Sequence, residues 1–134
     1  MESYFVTTLA RPAVLLAFAA LLGASLPAAA QDATQDAAAG ERAFRTRCAT
    51  CHSVEPGQNR LGPSLAGVVG RKAGSVEGAR YSQALRDSGI TWDAPSLDRF
   101  LADPRGAVPG TSMTVRLTDA AQRAAIIAYL SAGR

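Results

Sequence analysis

The sequence predicts a small all-α domain in which helices are joined by loops rich in glycine and proline. Apolar residues recur at helical spacing in several segments, and no segment alternates apolar and polar residues as a half-buried strand does. With 134 residues, the chain has room for one domain. Its 14 Lys and Arg exceed its 11 Asp and Glu by three, which is too few for the dense basic stripe of a nucleic-acid-binding protein.

The N-terminal residues have the pattern of an export signal. An almost unbroken apolar run, Ala13 to Leu26, is followed by the small residues Ala28 to Ala30. We expect cleavage after Ala30, which would release the mature protein into the periplasm. The alternative is an uncleaved membrane anchor, for which the apolar run is short. The predicted parts of the chain are a signal peptide (1–30), a short segment (31–38) and one domain (39–134).

The first predicted helix covers Asp36 to Thr50. This segment is rich in alanine, which has the strongest helix propensity, and either Asp32 or Asp36 is expected to cap its start. The residues of its apolar stripe are Gly40, Phe44 and Cys48. Residues 59–74 contain several glycines and a proline, so we expect a loop there.

Three further helices are predicted in the second half of the chain. Asp93 is a good N-cap for one of them, and Asp103-Pro104 ends it, because the residue before a proline avoids the helical conformation. Residues 105–117 are predicted to form a loop. The helix bounds are Tyr81 to Ser88, Ala94 to Ala102, and Thr118 or Asp119 to Ala132.

The segment Cys48-Ala49-Thr50-Cys51-His52 carries the chemistry of the chain. The spacing C-x-x-C-H is typical of covalent attachment of a c-type haem, in which two thiols add across two vinyl groups and the imidazole binds the iron. His52 is the only histidine of the sequence, so no second imidazole is available for another site. We therefore predict one covalent haem c.

Two other interpretations of this motif are open. A thioredoxin-like redox pair also has two cysteines at this spacing, but it requires a βαβ pattern that the flanking sequence lacks. A local disulfide with an incidental histidine is the second alternative. Export to an oxidising compartment would permit it.

The order and spacing of several further segments resemble the class I cytochromes c, close to the mitochondrial and α-proteobacterial soluble type. The resemblance covers Ala39 to Leu130, and only the C-x-x-C-H motif is specific on its own. Besides Gly40, Phe44 and that motif, the matching segments are 61–65 (LGPSL), 70–74 (GRKAG), 81–82 (YS), 90–92 (ITW), 101–104 (LADP), 109–113 (PGTSM) and 127–130 (IAYL).

The resemblance implies a role for most of these segments. His52 and Met113 would be the two axial iron ligands, and a carbonyl beside Pro63 would accept the imidazole N–H. The residues implied to hydrogen-bond the haem propionates are Arg71, Tyr81, Trp92 and Thr111. Gly40 would let the first helix cross the last one closely at Tyr129.

The sequence also departs from the family pattern. Leu85 stands where the family commonly has an asparagine, and Val115 where its mitochondrial branch has an aromatic residue. Lys72 is the only lysine. Arginines occupy the places of the docking lysines, so the family's basic docking face is expected to be reduced and arginine-rich. These residues are Arg42, Arg47, Arg60 and Arg105.

These features predict a monomeric periplasmic carrier of single electrons with no small-molecule substrate, no nucleic-acid partner and no enzymatic activity. Its partners would be redox proteins: a quinol-oxidising complex, a terminal oxidase or a dehydrogenase. A dedicated haem subunit of one dehydrogenase is the main alternative. A small haem peroxidase is a weaker one, because the chain has no second histidine to act as its distal acid and base.

Overall fold

The computed structural model describes residues 28–133, with side chains from residue 37 onwards. The predicted signal peptide therefore lies almost entirely outside the described residues. The helices in this part of the chain are α1 (Ala28–Arg47), α2 (Gln83–Asp87), α3 (Ala94–Ala102), α4 (Pro104–Ala107) and α5 (Ala120–Ser131). Within the same residues, β pairing is limited to one isolated bridge between Lys72 and Thr91. The predicted all-α class is confirmed.

Helix α1 is longer at its start and shorter at its end than predicted. It begins at Ala28, so Asp32 and Asp36 lie inside the helix and the predicted N-cap at either residue is wrong. The alanines upstream continue the helix because alanine opposes helix formation least. The helix ends at Arg47 and not at Thr50, because the next four residues form a turn.

Helix α3 has the predicted bounds. The Asp93 carboxylate accepts the Ser96 N–H (2.7 Å), and the Ser96 hydroxyl accepts the Asp93 N–H (2.9 Å), which completes a capping box. The predicted loop over 105–117 is wrong at its start. Proline is favoured in the first turn of a helix, and Pro104 begins the short helix α4.

The other two predicted helices are shorter than expected at both ends, because their last predicted residues, Ser88 and Ala132, and residues near their predicted starts are caps. Ser82 caps α2 by accepting the Leu85 N–H (3.2 Å), which leaves Tyr81 outside the helix. Asp119 caps α5 by accepting the Ala121 N–H (2.8 Å). Within residues 28–133, no helix is long and apolar enough to cross a membrane.

Helix α1 packs chiefly against α5, and α3 packs against both α4 and α5. The predicted close crossing at Gly40 is confirmed. A Cβ at this position would collide with the Ala125 carbonyl oxygen and lie 2.7 Å from the Tyr129 Cβ. Phe44, one turn further along α1, packs on the Tyr129 ring with 5.6 Å between ring centroids. This crossing fixes the end of α1, which leads directly into the Cys48–His52 segment.

Candidate functional site

A tight turn at the end of α1 brings the two thiols and the imidazole together. The Cys48 N–H donates to the Phe44 carbonyl (2.8 Å), and the His52 N–H donates to the Cys48 carbonyl (2.9 Å). Cys51 lies between them on the same turn, with its N–H bonded to the Cys48 carbonyl (3.0 Å). Both cysteines are half-buried free thiols. The turn therefore presents two unlinked sulfurs on a backbone that is fixed to the end of a core helix.

The protonation of Cys48 differs from that of a redox-active dithiol. Burial raises the pKa of the Cys48 thiol to about 11, although Arg47 lowers it in part. The attacking thiol of a thioredoxin-like pair instead has a lowered pKa. The flanking structure is also helix and loop, without the βαβ unit of that fold. Fold and electrostatics thus both disfavour the dithiol interpretation.

A hydrogen bond determines which nitrogen of His52 is free. The Nδ1 atom lies 2.8 Å from the Pro63 carbonyl oxygen, and a carbonyl can only accept, so Nδ1 carries the proton. Burial lowers the pKa of His52, and the bond to Pro63 raises it in part, so the neutral ring is favoured at neutral pH. In that tautomer the Nε2 lone pair is available to a metal. The bond expected at Pro63 is therefore present.

Gly62 lies close against this ring, a contact that was not predicted from the sequence. Its N–H donates to the Cys51 carbonyl (2.8 Å), and a Cβ on it would press on the His52 ring, 2.9 Å from Nδ1. The Asn59 side chain supports the same loop by accepting the Ser64 N–H (3.0 Å). A glycine directly before the proline that binds the imidazole was the available sequence signal.

Arg71 is half-buried in the loop that follows Pro63. Its Nη1 donates to the Ala66 carbonyl (2.7 Å) and its Nη2 to the Ser64 carbonyl (2.8 Å). Its Nε is buried and has no hydrogen-bond partner in the described part of the chain. Burial lowers the pKa of Arg71 and nearby Tyr81 raises it in part, but arginine remains charged. A half-buried cation whose spare N–H donor is itself buried suits an anionic group such as a carboxylate.

Trp92 and Thr111 are buried close to the core. The Trp92 N–H donates to the Arg71 carbonyl (2.9 Å), which links these two predicted residues through the backbone. The indole packs on Phe100 with 5.1 Å between ring centroids, so Trp92 also serves the hydrophobic core. Thr111 has an exposed fraction of only 6%. Their predicted contacts with haem propionates stay predictions.

Met113 lies in the loop that follows α4. It is half-buried and packs against the hydrophobic core, and its N–H is 3.4 Å from the Thr111 hydroxyl oxygen. The Leu117 N–H donates to the Leu101 carbonyl (2.9 Å) and fixes the far end of this loop. Met113 as the second iron ligand remains a prediction.

A buried arginine also anchors the Met113 loop, and the sequence analysis missed it. The Arg123 Nε donates to Asp98 (2.7 Å), and its Nη1 donates to the carbonyls of Leu117 (2.8 Å) and Thr118 (3.1 Å). Its side chain is only 12% exposed. These bonds join α3, α5 and the end of the loop. No local sequence signal identifies acceptors that are backbone carbonyls.

The donor set fits a haem. The two unlinked thiols match two vinyl groups, and the neutral imidazole with a free Nε2 matches an iron atom. The half-buried Arg71 guanidinium, whose Nε is buried and unpaired in the described residues, matches an anionic side group. A helical fold with this turn defines a small haem protein of the electron-transfer class.

Comparison with known proteins gives the family. The sequence profile of cytochrome c matches residues 37–133. Cytochrome c2 iso-2 of Magnetospirillum fulvum is 54% identical over 84 residues, which are 62% of this chain and 88% of the relative. Cytochrome c2 iso-2 of Magnetospirillum molischianum is 54% identical over 68 residues, which are 51% of this chain and 70% of the relative. The solved structure of cytochrome cH from Methylobacterium extorquens is 48% identical with a TM-score of 0.67, and the match covers 72% of this chain and 98% of that one.

The chain therefore belongs to the cytochrome c family, among the class I c-type cytochromes. As a member it carries covalent haem c and acts as an electron carrier. The predicted fold, cofactor and carrier function are confirmed at this level.

Proposed function

We propose that this protein is a periplasmic one-electron carrier whose haem is held by Cys48 and Cys51 and ligated by His52 and Met113. The strongest support for this proposal is the turn that carries both thiols and the imidazole, whose Nδ1 is bonded to the Pro63 carbonyl. The haem, when bound, supplies an iron that gains or loses one electron. The chain has to keep its ligands in place while that charge changes.

His52 and Met113 share this task. The Pro63 carbonyl fixes the His52 tautomer and increases the electron density on the ring, which favours ferric iron. A thioether ligand such as Met113 raises the reduction potential relative to a second imidazole. If His52 and Met113 both bound the iron, no position would be open to a substrate, and such a closed site would favour a carrier over a peroxidase.

Arg71, Tyr81, Trp92 and Thr111 would hold the propionates. Arg71 supports this role best, because its Nε is buried without a partner. A buried carboxylate needs such a donor, since an unpaired buried charge is very costly. The positive charge of Arg71 would also favour the reduced state of the site.

Redox partners would approach the exposed arginines. Arg42, Arg47, Arg60 and Arg105 are all exposed, and none forms an ion pair within residues 37–133. Arginine can bind carboxylates in a bidentate manner. We infer an acidic docking partner and a modest dependence of the association rate on salt, because the net charge is small.

Export is part of the proposal, because haem attachment and the partners lie in the periplasm. Cleavage after Ala30 would fall within the first turn of α1. The intact mass of the purified native protein tests this: a chain beginning at Gln31 supports cleavage, and a full-length chain in the membrane fraction supports the anchored alternative.

The function is tested by mixing the reduced holoprotein with detergent-solubilised membranes of the organism that encodes it. We expect second-order oxidation, with a rate constant that falls gently as salt increases. Failure of any membrane oxidase to accept electrons, together with rapid reduction by one purified periplasmic dehydrogenase, would favour the dedicated-subunit alternative.

A further inference from the structure

The peptide group that joins Pro63 to Ser64 is hydrogen-bonded at both of its polar atoms. Its carbonyl oxygen lies 2.8 Å from the His52 Nδ1 and accepts the imidazole proton. Its N–H donates to the Asn59 Oδ1 (3.0 Å). The peptide bond is trans, so its carbonyl and its N–H point in opposite directions. Asn59 and His52 therefore bind one peptide group from opposite sides.

The orientation of the Asn59 side-chain amide is determined by its two partners. A backbone N–H can only donate and a backbone carbonyl can only accept. The amide oxygen must therefore face the Ser64 N–H, and the Nδ2 must face the Glu77 carbonyl, which lies 2.9 Å away. Glu77 is itself part of a turn, in which the Ala79 N–H donates to the Val76 carbonyl (3.3 Å). The acceptor oxygen of Asn59 is thus held towards Ser64 by a bond to a second loop.

This arrangement makes the Pro63 carbonyl a stronger acceptor. A peptide group has partial double-bond character, so an acceptor placed on its N–H draws electron density towards its carbonyl oxygen. Hydrogen bonds that form a chain inside a protein strengthen one another by about 10–30% per bond. Ser64 is only 2% exposed, and both Asn59 and His52 are half-buried, so water competes little along this chain.

We infer that Asn59 is a positioning residue that lowers the reduction potential of the iron through the Pro63–Ser64 peptide group and the His52 ring. A stronger bond at Nδ1 increases the electron density on the ring and at its free Nε2. Such a ligand stabilises ferric iron more than ferrous iron. The inference rests on the proposed ligation of the iron by His52 and adds to it a residue that acts one peptide group away from the ring.

A spectroelectrochemical titration of holoprotein variants measures this effect. Asn59→Leu removes the acceptor oxygen and keeps a side chain of similar size. It should raise the potential by the equivalent of about a twofold change in the equilibrium between ferric and ferrous protein, which is about 18 mV at 59 mV per tenfold change. Asn59→Asp keeps an oxygen for the Ser64 N–H and adds a negative charge, so the potential should fall. Both variants lose the Nδ2 bond to Glu77, so a role confined to bracing the two loops would shift both potentials in the same direction.

Ser64→Ala is the matched control in the same loop. It removes a hydroxyl that donates to the Glu55 carbonyl (2.7 Å) and accepts the Ala66 N–H (3.3 Å), but it keeps the N–H that binds Asn59. Its potential should equal that of the wild type. Amide hydrogen exchange of Ser64 in the ferrous holoprotein gives a second measure. It should become about fivefold faster in Asn59→Leu, as expected for one lost hydrogen bond, and stay at the wild-type rate in Asn59→Asp.

The possible outcomes separate this inference from the ligation on which it rests. An unchanged potential in Asn59→Leu, a rise in both Asn59 variants, or an equal rise in Ser64→Ala would overturn the inference and leave His52 as the ligand. If Asn59→Leu does not retain haem, Asn59→Asp decides alone, because a potential at or above the wild-type value would overturn the inference. Ferric wild-type protein whose proton NMR spectrum lacks the strongly shifted His52 ring signals of an iron-bound imidazole would overturn the ligation and the inference together.

Discussion

Replacement of Gly62 by alanine tests whether the contact between this residue and the His52 ring is as tight as the structure indicates. The new Cβ would lie 2.9 Å from Nδ1 and 3.1 Å from Nε2, and closer still to Cε1. Carbon atoms pack best at about 3.5–4.0 Å, so the ring and the loop would have to separate. The Gly62 backbone lies outside the positive-φ region, so alanine adds no backbone strain.

The expected loss of stability depends on the interactions that resist this separation. The loop is tied to the turn by the bond from the Gly62 N–H to Cys51 (2.8 Å) and by the bond from His52 Nδ1 to Pro63 (2.8 Å). Overpacking costs about 1–3 kcal/mol, and weakening one hydrogen bond adds about 1 kcal/mol. We expect the free energy of unfolding to fall by about 2–4 kcal/mol. The reduction potential should rise, because an imidazole without its Pro63 bond stabilises ferric iron less.

Urea unfolding of the ferric holoprotein, followed by far-UV circular dichroism, measures this change. Gly106→Ala is the matched control, because its Cβ would also approach a neighbour at 2.9 Å, the Cγ of Asp103. That neighbour is an exposed side chain that can move away, so the control should stay within about 0.5 kcal/mol of wild type. Equal stability of both variants and wild type would refute the inference that Gly62 holds the imidazole.

Three further substitutions test other parts of the site. Arg71→Met should lower the reduction potential in a redox titration, because it removes a half-buried cation; an unchanged potential would contradict a role beside the propionates. Arg123→Met should lower the free energy of unfolding in urea by about 2 kcal/mol and weaken the ferric absorption band of methionine ligation, whereas the exposed control Arg116→Met should do neither. Equal effects of the two substitutions would refute the inference that Arg123 anchors the Met113 loop. Hydrogen bonds from Ser96 hold the pKa of Asp93 below its ordinary value, so the charged cap stabilises the fold at neutral pH and this stabilisation is lost as the pH falls through the native pKa. The stability difference between wild type and Asp93→Asn should therefore narrow in acid, and a constant difference would contradict this.

The helix ends that were predicted correctly are those set by residues next to them in the sequence. Helix α3 has its predicted bounds because Asp93 caps one end and the residue before Pro104 stops the other. The start of α1 was mispredicted because two aspartates resembled caps, while a run of alanines continues the helix upstream. Helix α4 was missed because Pro104 both ends one helix and begins the next.

The same distinction applies to the site. The attachment turn was predictable because five consecutive residues contain both thiols and the imidazole. The Gly62 contact with the ring and the Arg123 bonds depend on residues that meet only after folding. Sequence periodicity does not show which side chains will hydrogen-bond backbone carbonyls. The contacts that hold the predicted iron ligands in place therefore became visible only in the structure.

The ferric absorption spectrum of the holoprotein, recorded for wild type and Met113→Leu, tests most directly whether His52 and Met113 close both sides of the iron. The account predicts a low-spin wild-type spectrum with the weak long-wavelength band of methionine ligation, and loss of that band in Met113→Leu. A high-spin wild-type spectrum, or a band that persists without Met113, would contradict it.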